Sequence, residues 1–164
     1  ALVSAFTKAL GEKEEEARRP DTEGYDFTGR RVLLAEDNAI NTEVAVLLLQ
    51  AKGFIVDTAE TGEQALRCYE ASSPYSYDAI LMDIRMPVMD GLSAAAAIRR
   101  CPRADAAQIP IVAMTANAFD DDIAKSLAAG MNAHLAKPID PDLLYQTLND
   151  LIGNKEENPW RTLK

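Results

Sequence analysis

The chain has 164 residues, 48% hydrophobic and 26% charged, which is typical of a globular protein with one hydrophobic core. Its formal net charge of −9 argues against a nucleic-acid partner, because phosphate contacts need clustered Lys and Arg. No stretch approaches the roughly 18 consecutive apolar residues of a membrane span, and the first residues do not resemble a secretory signal. We therefore expect a cytoplasmic protein whose two cysteines are reduced and whose surface makes no membrane contact.

Charge and apolar spacing divide the chain into three parts. Residues 1–29 carry the run EKEEEARR and few apolar residues, which predicts a solvated linker, with helical structure in part of it as one option. Residues 30–152 contain regularly spaced apolar segments and are predicted to form the folded domain. Residues 153–164 are predicted to be a tail.

Five short apolar runs predict five β-strands. Each run is mostly apolar rather than alternating, which is typical of strands that are buried on both faces of a sheet. The runs are VLLA (32–35), FIVDTA (54–59), AILM (79–82), IVAM (111–114) and HLA (134–136).

Segments with helical spacing separate these runs. An i, i+4, i+7, i+8 pattern before Gly53 predicts the first helix and its buried face: Ile40, Val44, Leu47, Leu48 and Ala51. A capping box at Thr61 and Gln64 predicts the start of the second helix, and the alanine-rich third helix runs from Leu92 to about Arg100.

The last two helices are predicted from their ends as well as from their spacing. Gly130 ends the fourth, and Asp140 followed by Pro141 is typical of an N-cap and first position for the fifth. The apolar residues that mark these two helices are Phe119, Ile123 and Leu127, and Leu144, Leu148 and Leu151.

Strands that alternate with helices at this spacing predict a parallel sheet, because parallel neighbours need crossover connections. The expected fold is a doubly wound α/β domain with helices on both faces. In such folds, functional sites form outside the carboxyl ends of the strands, where the strand order reverses.

Polar residues follow four of the five predicted strands. They are Glu36 and Asp37 after the first, Asp83 after the third, Thr115 after the fourth, and Lys137 with Pro138 after the fifth. If the first and third strands are neighbours, three carboxylates converge and repel one another. A hard divalent cation removes the conflict, and Mg²⁺ suits a site made of oxygen ligands.

A carboxylate beside Mg²⁺, with an ammonium and a hydroxyl opposite, is suited to phosphoryl transfer. Asp83 is the best nucleophile, because it ends a central apolar strand, whereas Glu36 and Asp37 are adjacent and better placed to hold metal. Taken alone, Asp83 could equally be a turn or capping aspartate. Agreement among four strand ends favours the site.

The segments LLAEDN, ILMDIRMPVMDG, IVAMTANA and HLAKPI, in this order, resemble the response-regulator receiver domains of two-component signalling from about Arg30 to Ile152. The resemblance implies a flavodoxin-like, five-stranded parallel sheet of order 2-1-3-4-5 with five helices. It also implies that Asp83 is the phosphoacceptor and that Glu36 and Asp37 bind Mg²⁺ together with Asp83 and the backbone carbonyl of Arg85.

The same resemblance implies the remaining parts of the site. Thr115 is the switch hydroxyl, Lys137 contacts the phosphoryl group, Pro138 follows a cis peptide bond, and His134 moves with Thr115. The expected consequence is a change in the face formed by the fourth helix, fifth strand and fifth helix, which is also a surface for output or for a homodimer.

EDNAIN, MTANAF and AAGMNAHLAKPID look most like receivers attached to hybrid sensor histidine kinases. The resemblance therefore implies a fragment of a larger kinase, itself able to be membrane-anchored, and a phosphohistidine donor in a sensor kinase or phosphotransfer protein. Whether the fragment counts as an enzyme stays open, since a receiver accepts a phosphoryl group and hydrolyses it.

Two positions depart from the usual receiver pattern. His134, the only histidine, stands where an aromatic residue is common, and it is either a half-buried ring that fills space or a switch residue whose polar ring makes the output weakly pH-dependent. Arg85, two residues after Asp83, either pairs with the phosphoryl group and slows hydrolysis or is a solvated surface residue.

Three alternatives share features of this sequence. A Mg²⁺-dependent phosphatase with an aspartyl nucleophile needs a second aspartate where Arg85 stands. A flavin-binding protein would place a phosphate near Glu36 and Asp37, which would repel it. An interaction module that is never phosphorylated would usually lack one of the acids, Thr115 or Lys137.

Overall fold

The computed structural model describes residues 25–116 and 120–152, without the side chains of residues 120–122. Predictions for residues 1–24, for the tail after Ile152 and for Phe119 lie outside the described residues. The strands are β1 (Arg31–Ala35), β2 (Ile55–Ala59), β3 (Ala79–Asp83), β4 (Ile111–Thr115) and β5 (Ala133–Ala136). The helices are α1 (Ala39–Ala51), α2 (Gly62–Ala71), α3 (Gly91–Arg99), α4 (Asp120–Ala128) and α5 (Pro141–Ile152).

The five strands form one parallel sheet of order β2-β1-β3-β4-β5. This order confirms the predicted doubly wound fold. The chain runs outward from β1 to β2 and then crosses back to β3, so the strand order reverses between β1 and β3. Ala35 at the end of β1 pairs with Met82, one residue before Asp83. The carboxyl ends of these two strands are therefore neighbours.

Two apolar clusters cover the two faces of the sheet. One packs α1 and α5 against side chains such as Val32, Leu34 and Leu81. The other packs α2 and α3 against Leu33 and Ile80 on the opposite face. Strands β3 and β4 are buried along their whole length, as expected for central strands, whereas the edge strands β2 and β5 are partly exposed.

The buried face of α1 differs from the prediction. Ala45 and Leu49 are buried, whereas Ile40, Val44 and Leu47 are 72%, 47% and 61% exposed. Residues 44–49 are all apolar, so their spacing could not select one face of the helix. Of the five residues that marked this helix, only Leu48 packs, partly buried, against the core, and the other four are exposed.

Side-chain caps define where several helices begin. The side chain of Asn38 accepts hydrogen bonds from the amides of Ile40 and Asn41, and Thr61 and Asp90 cap α2 and α3 in the same way. Helix α5 starts at Pro141, as predicted. In α4 the expected apolar face is also incomplete, because Leu127 is 58% exposed while Ser126 is buried.

The segment just before β1 packs into the apolar cluster that lies between the sheet and helices α1 and α5. Phe27 is 1% exposed, stacks on Phe54 with ring centroids 4.6 Å apart, and its amide donates to the Lys52 carbonyl. Arg30 is completely buried, and its guanidinium donates to the carbonyl of Ile152 at the end of α5. These contacts join the segment before β1 to the last turn of α5.

Among residues 25–116 and 120–152, none of the helices combines the length and the apolar character that crossing a membrane requires.

Candidate phosphoryl-acceptor site

Three carboxylates meet at the carboxyl ends of β1 and β3. Glu36 and Asp37 follow β1 directly and Asp83 is the last residue of β3. One carboxylate oxygen from each residue lies within 4.8 Å of the others. Glu36 and Asp83 are 2% and 4% exposed, whereas Asp37 is exposed to solvent. The fold thus gathers two buried acids and one acid at the rim.

Lys137 joins the two buried carboxylates. Its Nζ lies 2.6 Å from Oε2 of Glu36 and 2.9 Å from Oδ2 of Asp83. The other oxygen of Asp83, Oδ1, accepts a hydrogen bond from the amide of Arg85 at 3.1 Å. Asp83 is therefore held from two directions, by the side chain of Lys137 directly after β5 and by the backbone of its own loop.

Strands β4 and β5 bring Thr115 and Lys137 to the same edge. Thr115 ends β4 and is 3% exposed, and its carbonyl accepts a hydrogen bond from the Lys137 amide at 2.8 Å. The Lys137–Pro138 peptide bond is cis. The five residues that the sequence placed at one site, Glu36, Asp37, Asp83, Thr115 and Lys137, all lie at this edge.

The pKa values of the three buried or half-buried groups show that Lys137 offsets the cost of ionising Glu36 but not that of ionising Asp83. Burial raises the pKa of Asp83 to about 6, with the charge of Glu36 acting in the same direction and Lys137 opposing both. For Glu36, burial is outweighed by Lys137 and the Asn38 amide, so its pKa is lowered. For Lys137, burial is outweighed by the two carboxylates, so its pKa is raised.

The donor set fits a hard divalent cation. Three carboxylates against one ammonium leave two negative charges when all four groups are ionised. Oxygen ligands from two or three carboxylates, with room for water at the exposed Asp37 side, are what Mg²⁺ prefers. Burial and the neighbouring charge of Glu36 both raise the pKa of Asp83, so a cation beside these carboxylates would favour its ionised form.

The two unusual residues lie at the surface. Arg85 is exposed and borders a groove of about 590 Å³ together with Asp37 and Lys125 of α4. His134 is exposed on β5, so the alternative in which it is a half-buried ring that fills space does not hold. It pairs with Ala113 of β4, two residues before Thr115.

Sequence reasoning missed the backbone around these carboxylates. The amide of Asn38 donates to Oε1 of Glu36 at 3.1 Å while its side chain caps α1. An Asn in front of a helical segment is a typical N-cap, so its position could have been predicted. Its contact with Glu36 could not, since that contact depends on the turn between β1 and α1.

Comparison with known proteins gives consistent results. The sequence model of the family described as "Response regulator receiver domain" matches residues 32–149. The chain is 42% identical over 131 residues to hybrid signal transduction histidine kinase I of Dictyostelium discoideum, covering 79% of this chain and 8% of that protein. It is 37% identical over 153 residues to histidine kinase 1 of Arabidopsis thaliana, covering 75% of this chain and 13% of that protein.

Solved structures show the same fold. One is the receiver domain of a Pseudomonas aeruginosa sensor histidine kinase, crystallised with a magnesium ion coordinated in its active-site cleft. It is 42% identical with a TM-score of 0.69, covering 77% of this chain and all of that one. A Vibrio cholerae chemotaxis protein, CheY4, is 28% identical with a TM-score of 0.68, covering 74% of this chain and 98% of its own.

Proposed function

The chain belongs to the response regulator receiver domain family of two-component signalling, and on this premise we propose that Asp83 accepts a phosphoryl group from a phosphohistidine donor. The observation that carries the proposal is the position of Asp83. It is a buried carboxylate at the end of a central strand, bonded to Lys137 and within 4.8 Å of two further carboxylates. An oxygen of Asp83 attacks phosphorus and the P–N bond to the donor histidine breaks. The donor ring, which carries a proton on its other nitrogen, leaves as neutral imidazole.

Glu36, Asp37 and Asp83 would hold Mg²⁺, with the backbone carbonyl of Arg85 as a further oxygen ligand. The cation would neutralise the carboxylates and the incoming phosphoryl oxygens, so that two anions can meet. The magnesium ion in the cleft of the Pseudomonas relative supports this assignment. In this chain, the buried Glu36 is oriented for the role by the amide of Asn38.

Lys137 and Thr115 are the residues that would stabilise the product. Lys137 already contacts Asp83, so its ammonium can follow a transferred phosphoryl oxygen with a small movement. Thr115 is buried at the adjacent strand end and would donate its hydroxyl to another phosphoryl oxygen. Both groups are attached to β-strands, which keeps them close to the reacting position.

The added charge of about −1.5 to −2 would then be read on the face formed by α4, β5 and α5. Movement of Thr115 would be passed to His134, which is exposed on the neighbouring strand β5. This face is our candidate for output and for self-association of the chain.

A protein donor would dock beside α1. Ile40, Val44 and Leu47 form an exposed apolar stripe, and Val44 also lines a cavity of about 120 Å³ together with Glu36 and Lys137. When the donor histidine reaches Asp83, the residues around that histidine would lie against this apolar stripe. Apolar side chains around that histidine would be buried by the stripe.

The chain spans 8% and 13% of the two curated relatives described above, so the rest of a larger protein is also a matter for proposal. We place this domain in the cytoplasm, as part of a hybrid sensor histidine kinase that can be membrane-anchored. There its own chemistry is acceptance of the phosphoryl group followed by slow hydrolysis.

Incubation with Mg²⁺ and acetyl phosphate, followed by intact mass measurement, tests the proposal. The expected result is an added mass of one phosphoryl group in the parent chain and none in Asp83→Asn. Phosphorylation of the Asn variant, or none in either protein, would contradict it. Turnover of a free phosphate ester without a phosphorylated protein would instead favour the aspartyl-nucleophile phosphatase.

A further inference from the structure

The loop from Ile84 to Asp90, which follows Asp83, contains a strained turn. Val88 has a φ of +68°, and the Met89 amide donates to the Pro87 carbonyl at 2.7 Å. An i to i+2 hydrogen bond around a residue with positive φ is the rarer, strained form of the γ-turn. Val88 is 81% exposed, so burial of its side chain does not hold the turn. Other contacts must do so.

Two glycine amides hold the loop, one near each end. The Gly91 amide donates to the Ile84 carbonyl at 2.8 Å, and the Gly62 amide donates to the Met89 carbonyl at 2.9 Å. Gly91 is the first residue of α3, directly after the loop, but Gly62 is the first residue of α2 and lies more than twenty positions earlier in the chain. The first turn of α2 therefore supports the loop from outside.

At both positions the two backbones are too close for a side chain. A Cβ atom on Gly91 would lie 2.1 Å from the carbonyl oxygen of Asp83. A Cβ atom on Gly62 would lie 2.3 Å from the carbonyl oxygen of Met89 and 2.8 Å from that of Asp90. Neither glycine has a positive φ, so space, not backbone conformation, is what requires glycine here.

Helix α2 is itself fixed at its far end. The Tyr69 hydroxyl donates to Asp105, which is 1% exposed, and the Arg103 guanidinium donates to the carbonyls of Tyr69 and Ser72. Arg103 also pairs with Asp105 at 3.0 Å. The loop after α3 thus fixes the C-terminus of α2. The Gly62 amide at the N-terminus of the same helix is therefore a rigid donor to the Met89 carbonyl.

We propose that Gly62 is a positioning residue for the phosphoryl-acceptor site: the first turn of α2 seats the 84–90 loop and thereby orients the Asp83 carboxylate and the backbone at Arg85 toward the cation. The link to the carboxylate is the hydrogen bond from the Arg85 amide to Oδ1 of Asp83. This role rests on the function proposed above. A loop displaced by an added methyl group would move both the carboxylate and the backbone oxygen that hold Mg²⁺.

The test compares Mg²⁺ binding and stability in Gly62→Ala and in a matched glycine variant of the whole chain. Gly130→Ala is the control, because its Cβ would lie 2.8 Å from the Arg99 side chain and its φ is +97°, while the residue lies at the opposite end of the sheet. Both variants should lower the melting temperature. In calorimetric titration with Mg²⁺, we expect Gly62→Ala to lose about tenfold or more in affinity and Gly130→Ala to keep the parent's affinity.

Hydrogen exchange in the parent chain gives a second readout that needs no variant. Binding of Mg²⁺ should slow exchange of the Gly62 amide, because the loop that accepts its hydrogen bond becomes fixed. Unchanged exchange at Gly62 on Mg²⁺ binding would overturn the role, as would a folded Gly62→Ala variant with the parent's affinity. A parent chain that binds no Mg²⁺ would overturn the proposed function and this role together, so the two failures are distinguishable.

Discussion

At the residue scale, burial and a neighbouring carboxylate make the ionised form of Asp83 costly. Its carboxylate is buried, next to Glu36, and receives hydrogen bonds from Lys137 and the Arg85 amide. Those bonds do not fully offset the loss of solvation, since the pKa of Asp83 is raised to about 6. Because the ionised carboxylate is costly at this position, a change in its charge or its neighbours should have a measurable effect on stability.

The first prediction follows from this raised pKa. An acid with a raised pKa favours the folded state most when protonated, and that contribution is lost as pH rises through the folded pKa of about 6. In chelator at about pH 7.5, Asp83→Asn should therefore unfold with a free energy about 1–3 kcal/mol above the parent's. Urea unfolding of both proteins between about pH 5 and 8 measures the difference, which should shrink toward the acidic end.

Asp37→Asn is the control for this experiment, because Asp37 belongs to the same cluster but is exposed. It should change the free energy of unfolding little in the absence of metal. If Asp83→Asn is no more stable than the parent at neutral pH, the hydrogen bonds from Lys137 and the Arg85 amide fully offset the cost of burying the ionised carboxylate, and the prediction fails.

At the element scale, the sequence predicted strands more reliably than helix faces. Each strand is a short apolar run between polar segments, and five such runs separated by helices predict a parallel sheet with crossover connections. The strand order, and with it the position of the site between β1 and β3, was implied by the resemblance to receiver domains. Helix α1 was predicted as a helix, but with the wrong face, because residues 44–49 are apolar all round it. The backbone contacts at Gly62 and Gly91 depend on distances between elements, which spacing along the chain does not encode.

The second prediction compares two leucines of α1. Leu49 is completely buried and Leu47 is 61% exposed, although both belong to the same apolar run. Leu49→Ala should lower the free energy of unfolding by about 2–5 kcal/mol, since it leaves a cavity in the core. Leu47→Ala should change it by less than about 0.5 kcal/mol. Equal losses in chemical denaturation would mean that the helix presents a different face.

Helix α3 ties together two loops at the end of the sheet opposite the acceptor site. The Arg99 guanidinium donates to the carbonyls of Gly130 and Ala106 and to the side chain of Asn132, which in turn accepts from the Ile111 amide. Three acceptors arranged around one planar group suit arginine, with its five donors, better than lysine.

The third prediction is that Arg99→Lys lowers the free energy of unfolding by about 1–3 kcal/mol, because a single ammonium cannot reach all three acceptors. Arg100→Lys changes the neighbouring residue, which is exposed, and should be nearly neutral. Thermal or urea unfolding distinguishes the two. Comparable losses from both variants would show that charge near the end of α3, not the geometry of Arg99, is what matters.

At the scale of the whole molecule, the segment before β1 and the end of α5 depend on each other. Tyr25 stacks on Phe27 and lies 6.2 Å from the Tyr145 ring of α5, while Arg30 bonds to the carbonyl of Ile152. Gly53 permits this packing, because a Cβ there would lie 2.6–2.8 Å from Thr28. The segment from Tyr25 to Arg30 is thus connected, through packed side chains, to a helix of the proposed output face.

The fourth prediction tests this connection with Phe27→Ala in the whole chain. Removing a ring that is 1% exposed and stacked on Phe54 should lower the free energy of unfolding by about 3–5 kcal/mol. Leu143→Ala, which removes a half-exposed side chain from α5 itself, should cost less than about 1 kcal/mol. Hydrogen exchange should show faster opening of the last turn of α5 in Phe27→Ala than in the control, because Arg30 would lose its fixed position beside Ile152. If both variants open α5 to the same extent, the segment before β1 contributes burial alone and does not hold the end of that helix.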